Sequence, residues 1–139
     1  MILGAPPVIL SLVRYLGIDY GDTIGLALSD EGGAFAFPLE NIPLSPEAYR
    51  RVLEVCRERG VGAIVIGDTR ALNGGANRVT QASDDFAAKI GDMTGLVVHR
   101  EQEAWSSVEA ARFAPKGQMH NDAAAAAIIL QRFLDRPRT

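Results

Sequence analysis

A continuous apolar run is the feature that most constrains the fold of this chain. It reads VGAIVIG at 61–67, and its β-branched residues are typical of a strand. Because no polar residue alternates along it, the strand must be covered on both faces, as parallel strands between helices are. The sequence therefore predicts an α/β fold.

Three further strands are predicted before this run. VRYLGID at 13–19 and IGLALSD at 24–30 are separated by a four-residue turn and read as a hairpin. The stretch AFAFPLENIPL at 34–44 contains Pro38 and Pro43, which suit an edge strand. With a last strand at 96–101, we expect a mixed five-stranded sheet of three antiparallel strands followed by αβ units, flanked by helices.

The first helix is predicted to start at Ser45 and Pro46, which supply a hydroxyl cap and a proline at the first helical position. Apolar residues then recur at helical spacing and include Leu53 and Cys56, which we expect to be buried. We interpret Cys56, the only cysteine, as a core residue without a chemical role. A further helix, alanine-rich, is predicted to start at Asp122.

Length and composition indicate one domain in a reducing compartment. A chain of 139 residues is long enough for one core, and a single cysteine allows no internal disulfide, so we expect a cytoplasmic protein. Residues 1–12 are apolar, but Pro6 and Pro7 interrupt them and they are too short to cross a bilayer. We expect an N-terminal extension over 1–12, a single domain over 13–139, and no membrane contact.

The formal net charge of −3 gives no general attraction to polyanions. Any contact with nucleic acid therefore requires a local basic patch.

Three carboxylates occupy positions where this fold would bring them together. Asp19 ends the first strand, Glu103 follows the last strand, and Asp122 starts the final helix. Taken singly, each has a structural explanation as a turn residue, a surface acid or a helix cap. Taken together, they would form a divalent-metal site suited to phosphodiester hydrolysis. Glu101 competes with Glu103 for the same role.

Four motifs in order resemble the YqgF/RuvX family. They are LGIDYGDTIGLALSD at 16–30, VIGDTRALNGG at 65–75, QEAWSSVEA at 102–110 and NDAAAAAIILQRFLD at 121–135. The resemblance covers nearly the whole chain, from 13 to 135.

This resemblance implies an RNase H-like fold and a metal-dependent nuclease that uses Mg²⁺ or Mn²⁺. The family's acids map onto Asp19, Glu103 and Asp122, as catalytic residues and metal ligands. Two substrates are associated with the family, the 5′ end of precursor 16S ribosomal RNA and branched DNA such as Holliday junctions. Because branched DNA presents related strands in pairs, a resolvase is expected to act as a homodimer.

The chain departs from the family pattern at two basic positions. Thr23 runs directly into Ile24 where the family commonly has an arginine, and Ala104 follows Glu103 where the family has another. Other cations near the motifs are candidates for binding nucleic acid in their place: Arg70, Arg78, Arg100, Arg112 and Lys116. Asp68, at the end of the buried strand, either caps the following loop or supplements the metal site.

Two other functions stay open. A family member that has lost activity would keep the fold as a nucleic-acid or protein-binding module, as the missing arginines suggest. Asp19 to Thr23 also reads as the phosphate loop of the actin-like and sugar-kinase ATPases. Those enzymes close two such domains around a nucleotide, whereas this chain has the length of one.

Overall fold

The computed structural model describes residues 13–68, 78–102 and 122–136. Its strands are β1 Arg14–Asp19, β2 Thr23–Ser29, β3 Ala36–Pro43, β4 Val61–Asp68 and β5 Val98–Gln102. Its helices are α1 Pro46–Glu58, α2 Arg78–Thr94 and α3 Asp122–Asp135. Residues 1–12, predicted to be an extension, lie outside the described part of the chain.

The strands form one mixed sheet in the order β3-β2-β1-β4-β5. Strand β2 pairs antiparallel with both β1 and β3, while β1 with β4 and β4 with β5 are parallel. The predicted architecture of three antiparallel strands followed by αβ units is confirmed, and the proline-containing β3 is at the edge as expected. Strands β1, β3, β4 and β5 all finish at the same end, which we call the C-terminal end of the sheet.

Helices cover both faces of the sheet. Alternate residues of β1, such as Leu16 and Ile18, pack in a core with α1 and with Phe86 of α2. On the opposite face, α3 packs against small and β-branched residues that include Ala27 and Val65. Strand β4 is covered on both faces, as its continuous apolar run predicted, because Ile64, Val65 and Ile66 are all fully buried.

The first helix differs from the prediction in two details. Cys56 is buried, as expected, and burial raises the pKa of its thiol to about 11, so it stays protonated at neutral pH. Leu53 is only half-buried, however, and Val55 fills the core instead. Ser45 also makes no side-chain cap, although Pro46 does begin the helix.

The last strand is shifted relative to the prediction of 96–101. Helix α2 ends at Thr94, and the next residue, Gly95, adopts φ 72° and donates its amide to the Gly91 carbonyl at 2.9 Å. The amide of Leu96 then donates to the Thr94 hydroxyl at 3.1 Å, and residues 95–97 connect the helix to the strand without belonging to either. Strand β5 therefore begins at Val98.

Two glycines let α3 approach the sheet at backbone distance. A Cβ at Gly17 would lie 2.8 Å from the Leu130 Cβ and 2.9 Å from the Ala126 carbonyl oxygen. A Cβ at Gly25 would overlap the Asp122 carbonyl and lie 2.6 Å from the Ala123 amide nitrogen. Residues 122, 126 and 130 are spaced four apart and so lie on one side of α3. This side of the helix packs against Gly17 and Gly25.

None of the helices in the described ranges has the length and apolar character that crossing a bilayer requires.

We predict that Gly25→Ala destabilises the protein by about 3 kcal/mol, because the new methyl group meets rigid backbone rather than a movable side chain. Urea unfolding measures the change. The matched control is Gly91→Ala in α2, where the added Cβ would lie 3.5 Å from a Val98 methyl, an ordinary contact. There we expect stabilisation by up to about 1 kcal/mol, since alanine is the better helix former. Equal effects of the two substitutions would contradict the close approach of α3.

Candidate functional site

Asp19 occupies the C-terminal end of the central strand β1. It is half-buried and pairs across the ladder with Gly25 of β2. Its neighbour Ile18 points into the core beneath α1 and α2, so the alternation of the strand directs Asp19 towards the face that α3 covers.

Asp122 is brought to the same place by the packing of α3. It is the first residue of that helix, and its carbonyl rests directly on Gly25. Because Gly25 is the ladder partner of Asp19, the backbones of the two acidic residues flank one glycine. Asp19 and Asp122, more than 100 residues apart in sequence, therefore meet at one end of the sheet.

A third strand holds the start of α3 in this position. The amide of Ala123 donates a hydrogen bond of 2.7 Å to the side-chain oxygen of Asn41 in β3, which is itself paired with Gly25. This bond satisfies one of the amides that a helix leaves free at its N-terminus. The positive end of the helix dipole favours an anion beside Asp122. Asn41 was not identified from the sequence.

Glu101 lies on the same side of the sheet but is already neutralised. Its partner in the ladder is Gly67 of β4. Because its own strand β5 lies two strands from β1, Glu101 is ~10 Å from Asp19. Its side chain is only 4% exposed, and the guanidinium of Arg136 lies 2.8 Å from both carboxylate oxygens. This ion pair ties the end of α3 to β5, which gives Glu101 a structural role.

Glu103, the third predicted ligand, lies outside the described residues. Within 13–68, 78–102 and 122–136, no three His, Cys, Asp or Glu side chains converge as a metal cluster would require. Asp19 and Asp122, whose backbones flank Gly25, still suit Mg²⁺ or Mn²⁺, because such ions are often held by one or two carboxylates together with the phosphates of a substrate.

Asp68 does not share the face of Asp19. It ends β4 in the same alternation as Ile64 and Ile66, which belong to the core beneath α1 and α2.

Of the five cations predicted to bind nucleic acid, the structure describes the side chain of Arg100. Arg70, Arg112 and Lys116 lie outside the described part of the chain, as does the side chain of Arg78. The guanidinium of Arg100 is engaged internally. It contacts Asp84, the Ser83 hydroxyl and the Gly67 carbonyl, each at 2.9 Å, and so attaches α2 to the sheet.

A groove of about 650 Å³ opens near the same end of the sheet, between α1 and α2. It is lined by Tyr20, the residue after Asp19, and by the half-buried Leu53. The sequence pattern assigned Leu53 to the core because helical spacing alone does not distinguish a core face from a groove.

Comparison with known proteins gives a consistent result. The family model described as RuvX, Holliday junction resolvase, matches residues 13–136. A protein of Geobacillus thermodenitrificans named "Putative pre-16S rRNA nuclease" is 35% identical over 138 residues, covering 91% of this chain and 100% of the relative. A protein of the same name from Ruminiclostridium cellulolyticum is 36% identical, covering 89% of this chain and 95% of the relative.

Solved structures with the same fold include RuvC of Thermus thermophilus. The free protein superposes with a TM-score of 0.59 at 18% identity, covering 88% of this chain and 94% of that chain. RuvC in complex with a Holliday junction gives a TM-score of 0.58 at 17% identity, with 88% and 93% covered. The predicted RNase H-like fold is thereby confirmed. The resemblance drawn from the four motifs is confirmed too, and the chain belongs to the RuvX family of Holliday junction resolvases.

Proposed function

We propose that this protein is a divalent-metal-dependent endonuclease that hydrolyses phosphodiester bonds in structured nucleic acid. The observation that carries the proposal is the convergence of Asp19 and Asp122 across Gly25, in a chain of the RuvX family. The names of the relatives favour precursor 16S ribosomal RNA as substrate, and the family description favours a Holliday junction. For a junction, a homodimer would provide one site for each of two strands. Either substrate fits a cytoplasmic location.

The acidic residues would bind the metal ion. Asp19 and Asp122, with Glu103 as the predicted third ligand, would hold Mg²⁺ or Mn²⁺ through carboxylate oxygens. When bound, such an ion polarises the phosphoryl group, activates the attacking water and stabilises the leaving oxygen.

The N-terminus of α3 would stabilise the anionic substrate. The helix begins at Asp122, so a phosphate placed there would meet the positive end of the helix dipole. Asn41 keeps this terminus in place through its bond to Ala123. The positive helix end disfavours a bare cation, which is why carboxylates are needed beside it.

A non-catalytic binding module is the second candidate. Arg100, one of the few described cations near the motifs, is engaged by Asp84 and Ser83, and the arginines common in the family at 23–24 and 104 are replaced. Binding of nucleic acid without cleavage would identify this function.

We predict that Asp19→Asn and Asp122→Asn each reduce metal-dependent cleavage roughly a thousandfold, because a bound metal contributes several kcal/mol to such reactions. Both variants should keep the wild-type fold in circular dichroism, since asparagine has nearly the same shape as aspartate. The assay uses a labelled four-way DNA junction and a labelled precursor 16S RNA 5′ segment, with Mg²⁺, Mn²⁺ or EDTA.

Asp92→Asn, an exposed position on α2, is the matched control and should cut like wild type. Full activity of Asp19→Asn would refute the assignment of the metal ligands. Failure of folded wild type to cut either substrate would refute the nuclease and favour the binding module.

We further predict that Asn41→Ala lowers stability by about 1 kcal/mol, the usual cost of losing a helix cap. It should also raise the Mg²⁺ concentration needed for half-maximal cleavage, because Asp122 is then held less firmly. Asn41→Asp keeps the accepting oxygen and should therefore lose less stability than the alanine variant. Asn41 has no positioning role if the alanine variant keeps both wild-type stability and the wild-type Mg²⁺ requirement.

A further inference from the structure

The groove between α1 and α2 combines aromatic, cationic and apolar side chains. Phe86 is 1% exposed and lies beneath both tyrosines, with ring centroids 4.9 Å from Tyr20 and 5.2 Å from Tyr49. The two tyrosine rings therefore rest on a rigid floor. The residues that give the groove its character are Tyr20, Leu44, Tyr49, Arg50, Lys89 and Met93.

The groove and the carboxylates share one end of the sheet. Tyr20 follows Asp19 directly and packs on the α1 and α2 side, whereas Asp19 is directed to the α3 side. Leu44 donates its amide to the Asp22 carbonyl at 2.9 Å, which fixes the entry to α1 beside the β1–β2 turn. A nucleic-acid strand bound at Asp19 that continues over the end of β1 would therefore enter the groove.

The charges of the groove suit a polyanion, although the whole chain carries a net charge of −3. Among the described residues, none of those that line it is acidic. In the parts of the chain that the structure describes, neither Arg50 nor Lys89 forms an ion pair with a carboxylate. The adjacent Arg51 differs, because Glu40 holds it at 2.7 Å and two further glutamates lie within 3.6 Å.

The two ends of the groove have different chemistry. The ammonium of Lys89 lies 4.2 Å above the centre of the Tyr49 ring, and Arg50 is exposed next to it. At the other end, Tyr20 is half-buried and its ring packs against the buried Phe86. A phosphate is thus favoured at the end with the two cations, and an uncharged base or sugar is favoured at Tyr20.

We infer that this groove binds the nucleotide next to the scissile phosphodiester as an unpaired, single-stranded segment. Its base or sugar lies against Tyr20 and the apolar wall, and its phosphate lies on Arg50 and Lys89. Aromatic stacking beside a cationic track is the usual mode of single-strand binding. The inference rests on the proposed nuclease function for the position of the scissile bond, but not for the binding itself. A second copy of this chain would need acidic residues opposite the two cations.

The first test measures the affinity of a fluorescent single-stranded oligonucleotide in EDTA over a series of KCl concentrations. For Arg50→Gln/Lys89→Gln, the plot of log affinity against log salt should become less steep by about 1.4, since each lost phosphate contact on a single strand accounts for about 0.7. The control, Arg57→Gln/Arg59→Gln, removes the same charge from the far end of α1 and should keep the wild-type slope. A wild-type slope in the groove variant would overturn the inference.

The second test locates the contact without relying on a variant. An oligonucleotide carrying 5-iodouracil is photocrosslinked to the wild-type protein, and the modified residue is identified by mass spectrometry. We expect modification of Tyr20 or Tyr49. Crosslinks confined to other residues would overturn the inference, as would a groove variant that dissociates a wild-type dimer while its salt slope is unchanged.

Cleavage assays of the same proteins separate this inference from the proposed function. If wild type cuts and the groove variant shows a raised KM with unchanged kcat, the nuclease function and the binding of a strand in the groove are both supported. If wild type does not cut but crosslinks at Tyr20 or Tyr49, the groove stands and the nuclease proposal fails. If the groove variant matches wild type in KM and slope while wild type cuts, the nuclease stands and the groove fails.

Discussion

The rest of this site depends on the contact of α3 with two glycines of the sheet. Gly17 and Gly25 carry no side chain on the face that α3 covers, so the helix rests on the strands at backbone distance. The alanine-rich sequence of α3 serves the same end, because buried Ala123, Ala126 and Ala127 keep the helix close to the sheet. Only in this position does Asp122, at the start of the helix, lie beside Asp19, at the end of the central strand.

This arrangement brings the backbones of two acidic residues together at one end of the sheet. Glu101 on the same face differs, since its buried carboxylate is balanced by Arg136 within the chain. Asp19 and Asp122 instead lie beside the positive end of a helix, where anions are favoured, and their carboxylates suit a divalent ion. The same end of the sheet carries Asn41, which caps the helix, and Tyr20, which leads into the cationic groove. In the function that we propose, one end of the sheet thus combines a metal-binding position, a phosphate-binding helix start and a groove for a strand.

The sequence predicted well those elements whose pattern is local. The apolar run of β4, the hairpin of β1 and β2, and the prolines of edge strand β3 each specify their element through neighbouring residues. The features that it missed depend on contacts between distant segments. Asn41 caps a helix that starts more than 80 residues later, and Arg100 finds Asp84 only once α2 has packed on β5. Leu53 obeys helical spacing but faces a groove, and Ser45 precedes a helix without capping it.

The most direct test of the account is to locate the metal by the damage that it causes. Fe²⁺ replaces Mg²⁺ in the wild-type protein, ascorbate and peroxide generate hydroxyl radicals at the bound ion, and the cut peptide bonds are mapped by mass spectrometry. We expect cuts near Asp19 to Gly25 and near Asp122. Excess Mg²⁺ should suppress these cuts, and Asp19→Asn should remove them. Cuts that map elsewhere, or that persist in Asp19→Asn, would contradict a metal site formed where α3 meets Gly25.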